Sequence, residues 1–228
     1  MRNRLQLTLE SMLAGSLSLT AFGQSAVELD RSVLPIPEPN FPLCTVLDAR
    51  DATPPPRFEV KAPAGAPNVL IVLVDDMGFG MPSAFGGPVR MPAAEQLASQ
   101  GLRYNQFHTT AVSSPTRTAL LSGRNHHMNN MGGIPDPATA FPGNTGQRPN
   151  NVAPLAEMLR LNGYSTAFFG KNHETAPWEV SPSGPTDRWP TRSGFDKFYG
   201  FYGGETDQWN PTLYDGMARV ETRHKQAY

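Results

Sequence analysis

Val69-Leu70-Ile71-Val72-Leu73-Val74-Asp75-Asp76-Met77-Gly78-Phe79-Gly80 is the stretch that decides the fold class. Six consecutive aliphatic residues without polar alternation predict a strand buried on both faces, as in a parallel sheet covered by helices. The expected fold is therefore α/β, a mixed, mostly parallel sheet flanked by helices. The run ends in two adjacent carboxylates, and the glycines beyond them let the chain turn. In open α/β sheets, ligand sites lie at the carboxyl ends of strands. Two carboxylates placed there repel one another unless a cation sits between them, and hard divalent cations take carboxylate oxygens. The competing reading has one aspartate capping a turn and the other solvated. This stretch alone does not choose between them.

Downstream, the pattern continues as alternating helices and strands. Residues 92–100 have helical periodicity and stop at Gly101. Residues 102–108 alternate as a strand would. Then comes Ser113-Ser114-Pro115-Thr116-Arg117-Thr118-Ala119-Leu120-Leu121-Ser122-Gly123-Arg124, a polar turn feeding a helix with Pro115 in its first turn and Gly123 past its end. Ser113 and Ser114 fall at the helix N-terminus, where free N–H groups and the positive dipole end favour sulfate or phosphate. Arg117 lies one turn in and can fold back towards the same place. Taken one residue at a time, Ser114 reads better as a mere N-cap and Arg117 as a surface charge; the whole segment is what tips the balance. A third block has a helix at 154–161 stopped by Asn162-Gly163, a short apolar strand at 165–169, and then Gly170-Lys171-Asn172-His173. Lys171 and His173, two apart just beyond a strand, can both project into one cleft.

Upstream of the decisive stretch, residues 27–66 carry Leu34-Pro35-Ile36-Pro37-Glu38-Pro39 and Pro54-Pro55-Pro56, which forbid helix and predict an extended arm strapped over a domain beginning near Pro67. Residues 1–26 have a basic start and a small-residue apolar stretch, the layout of a secretory signal, although Glu10 interrupts it. That predicts a periplasmic or secreted protein; if the leader is no signal, the expected location is cytoplasmic. No stretch approaches the ~20 apolar residues of a membrane helix, so no membrane span is expected. With a net charge of −1, nothing suggests an electrostatic nucleic-acid binder with a broad basic face, and no nucleic-acid partner is expected. With 23 prolines and 21 glycines among 228 residues, the chain is rich in loops, where enzymes place chemistry. Cys44 is the sole cysteine, which rules out an intrachain disulfide.

The three blocks together resemble the type I sulfatase family, of the alkaline-phosphatase-like superfamily, and within it the bacterial arylsulfatases. The family signature is Cys or Ser followed by x-Pro-x-Arg, three residues, then Leu-x-Gly-Arg. Here it reads Ser113-x-Pro115-x-Arg117-(three)-Leu121-x-Gly123-Arg124. It follows a strand ending in Asp-Asp, as in the family, and 170–173 is similar to the family's Gly-Lys-Trp-His with Asn172 in the tryptophan's place. The resemblance extends from about Pro67 to Trp209 and includes 194–201, whose aromatics read as packing residues.

The resemblance implies a sulfuric ester hydrolase acting on a small aryl or alkyl sulfate ester. It implies that Ser113 is converted to formylglycine, whose gem-diol attacks sulfur, releases the alcohol or phenol, and then expels sulfate. Ca²⁺ held by Asp75, Asp76 and position 113 would orient that group. Arg117 would hold the modified residue, Lys171 would bind sulfate and leaving-group oxygens, and His173 would contact the gem-diol. Arg124 reads as structural, and His126 and His127 as loop residues rather than metal ligands. A serine at this position implies a radical-type formylglycine-generating maturase as partner. The family's later half supplies further metal ligands and a second histidine and lysine; nothing after Trp209 matches them, the pairs Asp215-Gly216 and His224-Lys225 included. Residues 67–228 are accordingly expected to be the N-terminal part of a catalytic domain, incomplete at the C-terminus. Two rival expectations stay open: a phosphonate monoester or phosphodiester hydrolase on the same scaffold, and a truncated, non-catalytic remnant.

Overall fold

The computed structural model describes residues 29–221. The leader at 1–26 and the His224-Lys225 pair lie outside the described residues. Among the described residues three α-helices form where terminators bound them. α1, Pro92–Gln100, starts on proline and stops at Gly101. α2, Ser113–Ser122, ends at Gly123, whose φ of 65° lets its N–H reach the Ala119 carbonyl. α3, Leu155–Leu161, ends at Asn162, followed by Gly163 at a φ of 85°. No helix among the described residues is long and apolar enough to cross a membrane.

The sheet is mixed, in the order β1-β2-β3-β4, with β1 Ala167–Lys171, β2 Lys197–Phe201, β3 Leu213–Asp215 and β4 Ala218–Val220. β1 and β2 pair in parallel; the other two ladders are antiparallel. With the helices, this is a mixed α/β arrangement. The β1–β2 register brings Gly170 opposite Gly200 so closely that a Cβ on Gly200 would lie 1.9 Å from the Gly170 carbonyl oxygen. Glycine is therefore required at 200. The pairing continues past the strand ends, with Asn172 N donating to Phe201 O at 3.0 Å and His173 N to Tyr202 O at 3.1 Å. That extension fixes where Lys171 and His173 are presented.

On β2 the side chains alternate, Phe198 inward and Tyr199 outward. Phe198 joins Trp189, Tyr202 and Tyr214 in the buried core, with Phe168 and Val180 against it. The rings of Trp189 and Tyr202 stack at 4.1 Å, and those of Phe198 and Tyr202 at 5.0 Å. The aromatics of 194–201 do pack: Phe198 is 1% exposed, and Phe195 meets Phe168 edge-on.

Two expected strands do not form. Residues 69–74 form no strand and pair with none, and their side chains are exposed, Leu70 at 88%. Residues 102–108 likewise have no ladder, with Tyr104 and Phe107 exposed. Aliphatic and β-branched residues favour extended backbone, but a strand's hydrogen bonds and burial come from neighbours. No strand among the described residues runs beside either segment.

Residues 31–66 contain neither helix nor strand. Arg31 Nη1 donates to Asn162 O at 2.9 Å, Ala62 N donates to Gly163 O at 3.2 Å, and Ile36 is buried. The segment is thus tied to the end of α3.

Candidate active site

Ser113 opens α2, and Arg117 stands one turn later on the same face, as the i, i+4 spacing dictates. Arg117 is 6% exposed and spends its fork on three partners. Nε donates to Ser113 Oγ at 2.9 Å, Nη1 to the Lys171 carbonyl at 2.6 Å, and Nη2 to Asp75 Oδ1 at 2.9 Å. One guanidinium therefore ties together the 69–76 segment, α2 and β1. Lys171 Nζ donates to Asp75 Oδ2 at 2.6 Å, so both oxygens of that carboxylate face cations. Burial pushes the Asp75 carboxyl up, but Lys171 and Arg117 outweigh it and hold the group below the ordinary aspartate value.

His173 is reached through a turn in which the residue has a φ of 54°. The buried Asn172 shapes this turn, its Oδ1 accepting from Glu174 N at 3.2 Å and Thr175 Oγ1 at 2.8 Å. Asparagine in place of tryptophan thus has a local task that its sequence position did not reveal. His173 Nδ1 lies 2.9 Å from Ser113 Oγ. On its other side Nε2 lies 3.2 Å from Asp136 Oδ2. Burial pushes the imidazole below the ordinary histidine value, against the attraction of Asp136, which favours the neutral ring near pH 7.

Five of the six expected side chains are thus in one hydrogen-bonded cluster: Ser113, Arg117, Asp75, Lys171 and His173. Asp76 is adjacent but exposed, at a φ of 53°, with no hydrogen-bond or ion-pair partner among the described residues. Arg124 is exposed. His126 Nδ1 bonds the Met131 carbonyl at 2.8 Å within a short turn. Among the described residues no three His, Cys, Asp or Glu side chains are grouped to hold a metal ion. The chemistry of Asp75 and Asp76 nevertheless fits a hard cation. Both are carboxylates, and Asp76 is uncommitted; together they fill only part of a shell of ~6–8 oxygens. Asp136 was not expected from sequence. It lies in a Pro135-Asp136-Pro137 turn, 37 residues from the histidine that it meets.

Glu174, next to His173, is buried, and its Oε1 has no hydrogen-bond partner. Burial pushes its carboxyl up, outweighing the attraction of Arg148. A folded value above the unfolded one means that the fold favours the protonated acid. Its stabilising contribution is complete below the unfolded value of about 4.3 and is lost as pH rises through the folded one. Glu174→Gln, neutral at every pH, should escape that loss. Denaturant midpoints across a pH series should show the variant gaining on the parent from about pH 4 towards neutrality. Parallel curves for the two proteins would contradict it.

Residues 67–227 match the family model described as Sulfatase. The chain is 33% identical over 160 residues to an arylsulfatase of Klebsiella aerogenes, a match covering 69% of this chain and 32% of that protein. It is 34% identical over 149 residues to an uncharacterized sulfatase of Schizosaccharomyces pombe, covering 62% and 26%. Against the steryl-sulfatase of Homo sapiens it is 33% identical over 142 residues, covering 60% and 24%. The chain thus spans roughly a quarter to a third of the length of these relatives.

Proposed function

Since this chain belongs to the sulfatase family, we propose that its cluster is half of the active site of a sulfuric ester hydrolase acting on aryl or alkyl sulfate monoesters. The observation that carries the reading is the bonding around Ser113 Oγ: Arg117 Nε on one side, His173 Nδ1 on the other, each at 2.9 Å. A nucleophile at the end of a helix, between a fixed donor and an imidazole able to take a proton, is what ester displacement needs. Arg117 steadies the attacking oxygen. Lys171 supplies positive charge for the sulfuryl oxygens and the leaving oxygen, while Asp75 holds that ammonium in place at 2.6 Å.

We further propose that Ser113 is converted to formylglycine by a radical-type maturase. When hydrated, that group would supply a gem-diol nucleophile, and the donor and acceptor already facing position 113 suit its two hydroxyls. Asp75, Asp76 and the oxygen at 113 would hold Ca²⁺, whose charge would neutralise sulfuryl oxygens. Residues 67–228 then form the N-terminal part of the catalytic domain, preceded by an arm at 27–66 and an export signal at 1–26, giving a periplasmic or secreted enzyme.

The test is turnover of an aryl sulfate with and without added Ca²⁺, beside a matched phosphodiester and phosphonate monoester. Faster hydrolysis of either phosphorus ester would overturn the sulfate reading. Mass spectrometry of the peptide holding Ser113 decides the modification separately, because conversion removes two hydrogens.

A further inference from the structure

Asp136 does not belong to any of the three sequence blocks, yet it completes a chain of contacts, Ser113 Oγ to His173 Nδ1 at 2.9 Å and His173 Nε2 to Asp136 Oδ2 at 3.2 Å. An ionised carboxylate only accepts hydrogen bonds, so the nitrogen facing it must carry a proton. In a neutral ring the other nitrogen is then bare and must accept. Ser113 Oγ can meet that demand. It already accepts from Arg117 Nε, which leaves its own proton free to point at Nδ1. Every donor in the chain therefore has an acceptor with one assignment of protons.

The ring is also held mechanically. A Cβ at Gly204 would lie 2.6 Å from both Cε1 and Nε2 of His173, so the 203–204 backbone sits directly against the ring edge. The left-handed backbone of His173, at a φ of 54°, fixes the approach from the other end. Asp136 itself is largely exposed, its side chain at 62%, so little of its presence is explained by packing.

We propose that Asp136 is a positioning residue, accepting the Nε2 proton of His173 and so presenting Nδ1 as the acceptor for the hydroxyl at position 113. The proposal rests on reading position 113 as the nucleophile. Asp136 bonds His173 and not Ser113, so it acts through the imidazole, whose tautomer it selects.

The experiment is heteronuclear NMR of the chain with labelled histidine, the His173 ring nitrogens being assigned by their loss in His173→Gln. The expected parent spectrum has Nε2 protonated and Nδ1 accepting. Asp136→Ala should convert His173 to a mixture of tautomers, whereas Asp136→Asn, which keeps a carbonyl oxygen as acceptor, should retain the parental form. In turnover of an aryl sulfate, Asp136→Ala should lower kcat about 10²-fold, with KM held within about twofold. Asp136→Asn should recover most of that loss. An Nδ1-protonated ring in the parent, or an unchanged single tautomer in Asp136→Ala, would overturn the proposal. If the parent turns over no sulfate ester, the functional reading fails while the tautomer result still decides the role of Asp136. Because this side chain is exposed, its truncation removes no core packing, and a circular dichroism spectrum matching the parent's checks that the fold is kept.

Discussion

Ser113→Ala is expected to lower aryl sulfate turnover by at least about 10⁴-fold, since removing a nucleophile that works as a unit with its base costs nearly the whole covalent pathway. Its effect on folding should be small, on the order of 1 kcal/mol. Arg117 keeps two of its three partners, the Lys171 carbonyl and Asp75, so the guanidinium remains anchored. Asp75 keeps Lys171 as well. What the substitution strands is one N–H of Arg117 and the bare nitrogen of His173. A variant that loses activity while unfolding at nearly the parental denaturant concentration assigns the oxygen at 113 to chemistry. Residual turnover within about tenfold of the parent would mean that some other group attacks, and the reading of the site would fall.

The division of effects reflects how the site is built, and also what sequence can carry. Each helix is announced by its own ends: Pro92 and Gly101, Pro115 and Gly123, Asn162 with Gly163. These are local signals, and the helices begin and end within a residue of where they point. Ser113 and Arg117 share one helix, so the spacing between them was readable. Lys171 and His173 were placed beyond a strand at 165–169, whereas β1 is Ala167–Lys171 and Lys171 is its last residue. The strand reading at 69–74 failed for a different reason. A run of aliphatic residues states a preference for extended backbone, but pairing depends on strands distant in sequence. Asp136 was illegible because nothing at 135–137 differs from an ordinary proline-flanked turn; only the folded loop brings it to His173. Asn172 was visible as a departure, yet its bonds to Glu174 N and Thr175 Oγ1 depend on the turn that it creates.

Trp189→Ala should produce the largest loss of stability in the chain, about 3–5 kcal/mol. Trp189 is 1% exposed, stacked on Tyr202 at 4.1 Å and edge-on to Tyr214 at 5.7 Å. Its Nε1 donates to the Glu179 carbonyl, so truncation both opens a cavity and strands a buried acceptor. The consequence reaches the site through the sheet. Tyr202 receives the His173 N–H at its carbonyl, and Phe201 receives that of Asn172. A core that no longer holds Tyr202 loosens the stretch presenting Lys171 and His173. Against a total stability typical of a domain, about 5–15 kcal/mol, such a loss removes a large share of the margin. Trp189→Phe separates the two contributions: it keeps most of the ring burial and loses only the indole donor, so about 1–3 kcal/mol is expected. Chemical denaturation of the three proteins measures both differences. If Trp189→Ala unfolds within about 1 kcal/mol of the parent, the aromatic cluster does not support the sheet, and the dependence of the His173 position on it is wrong.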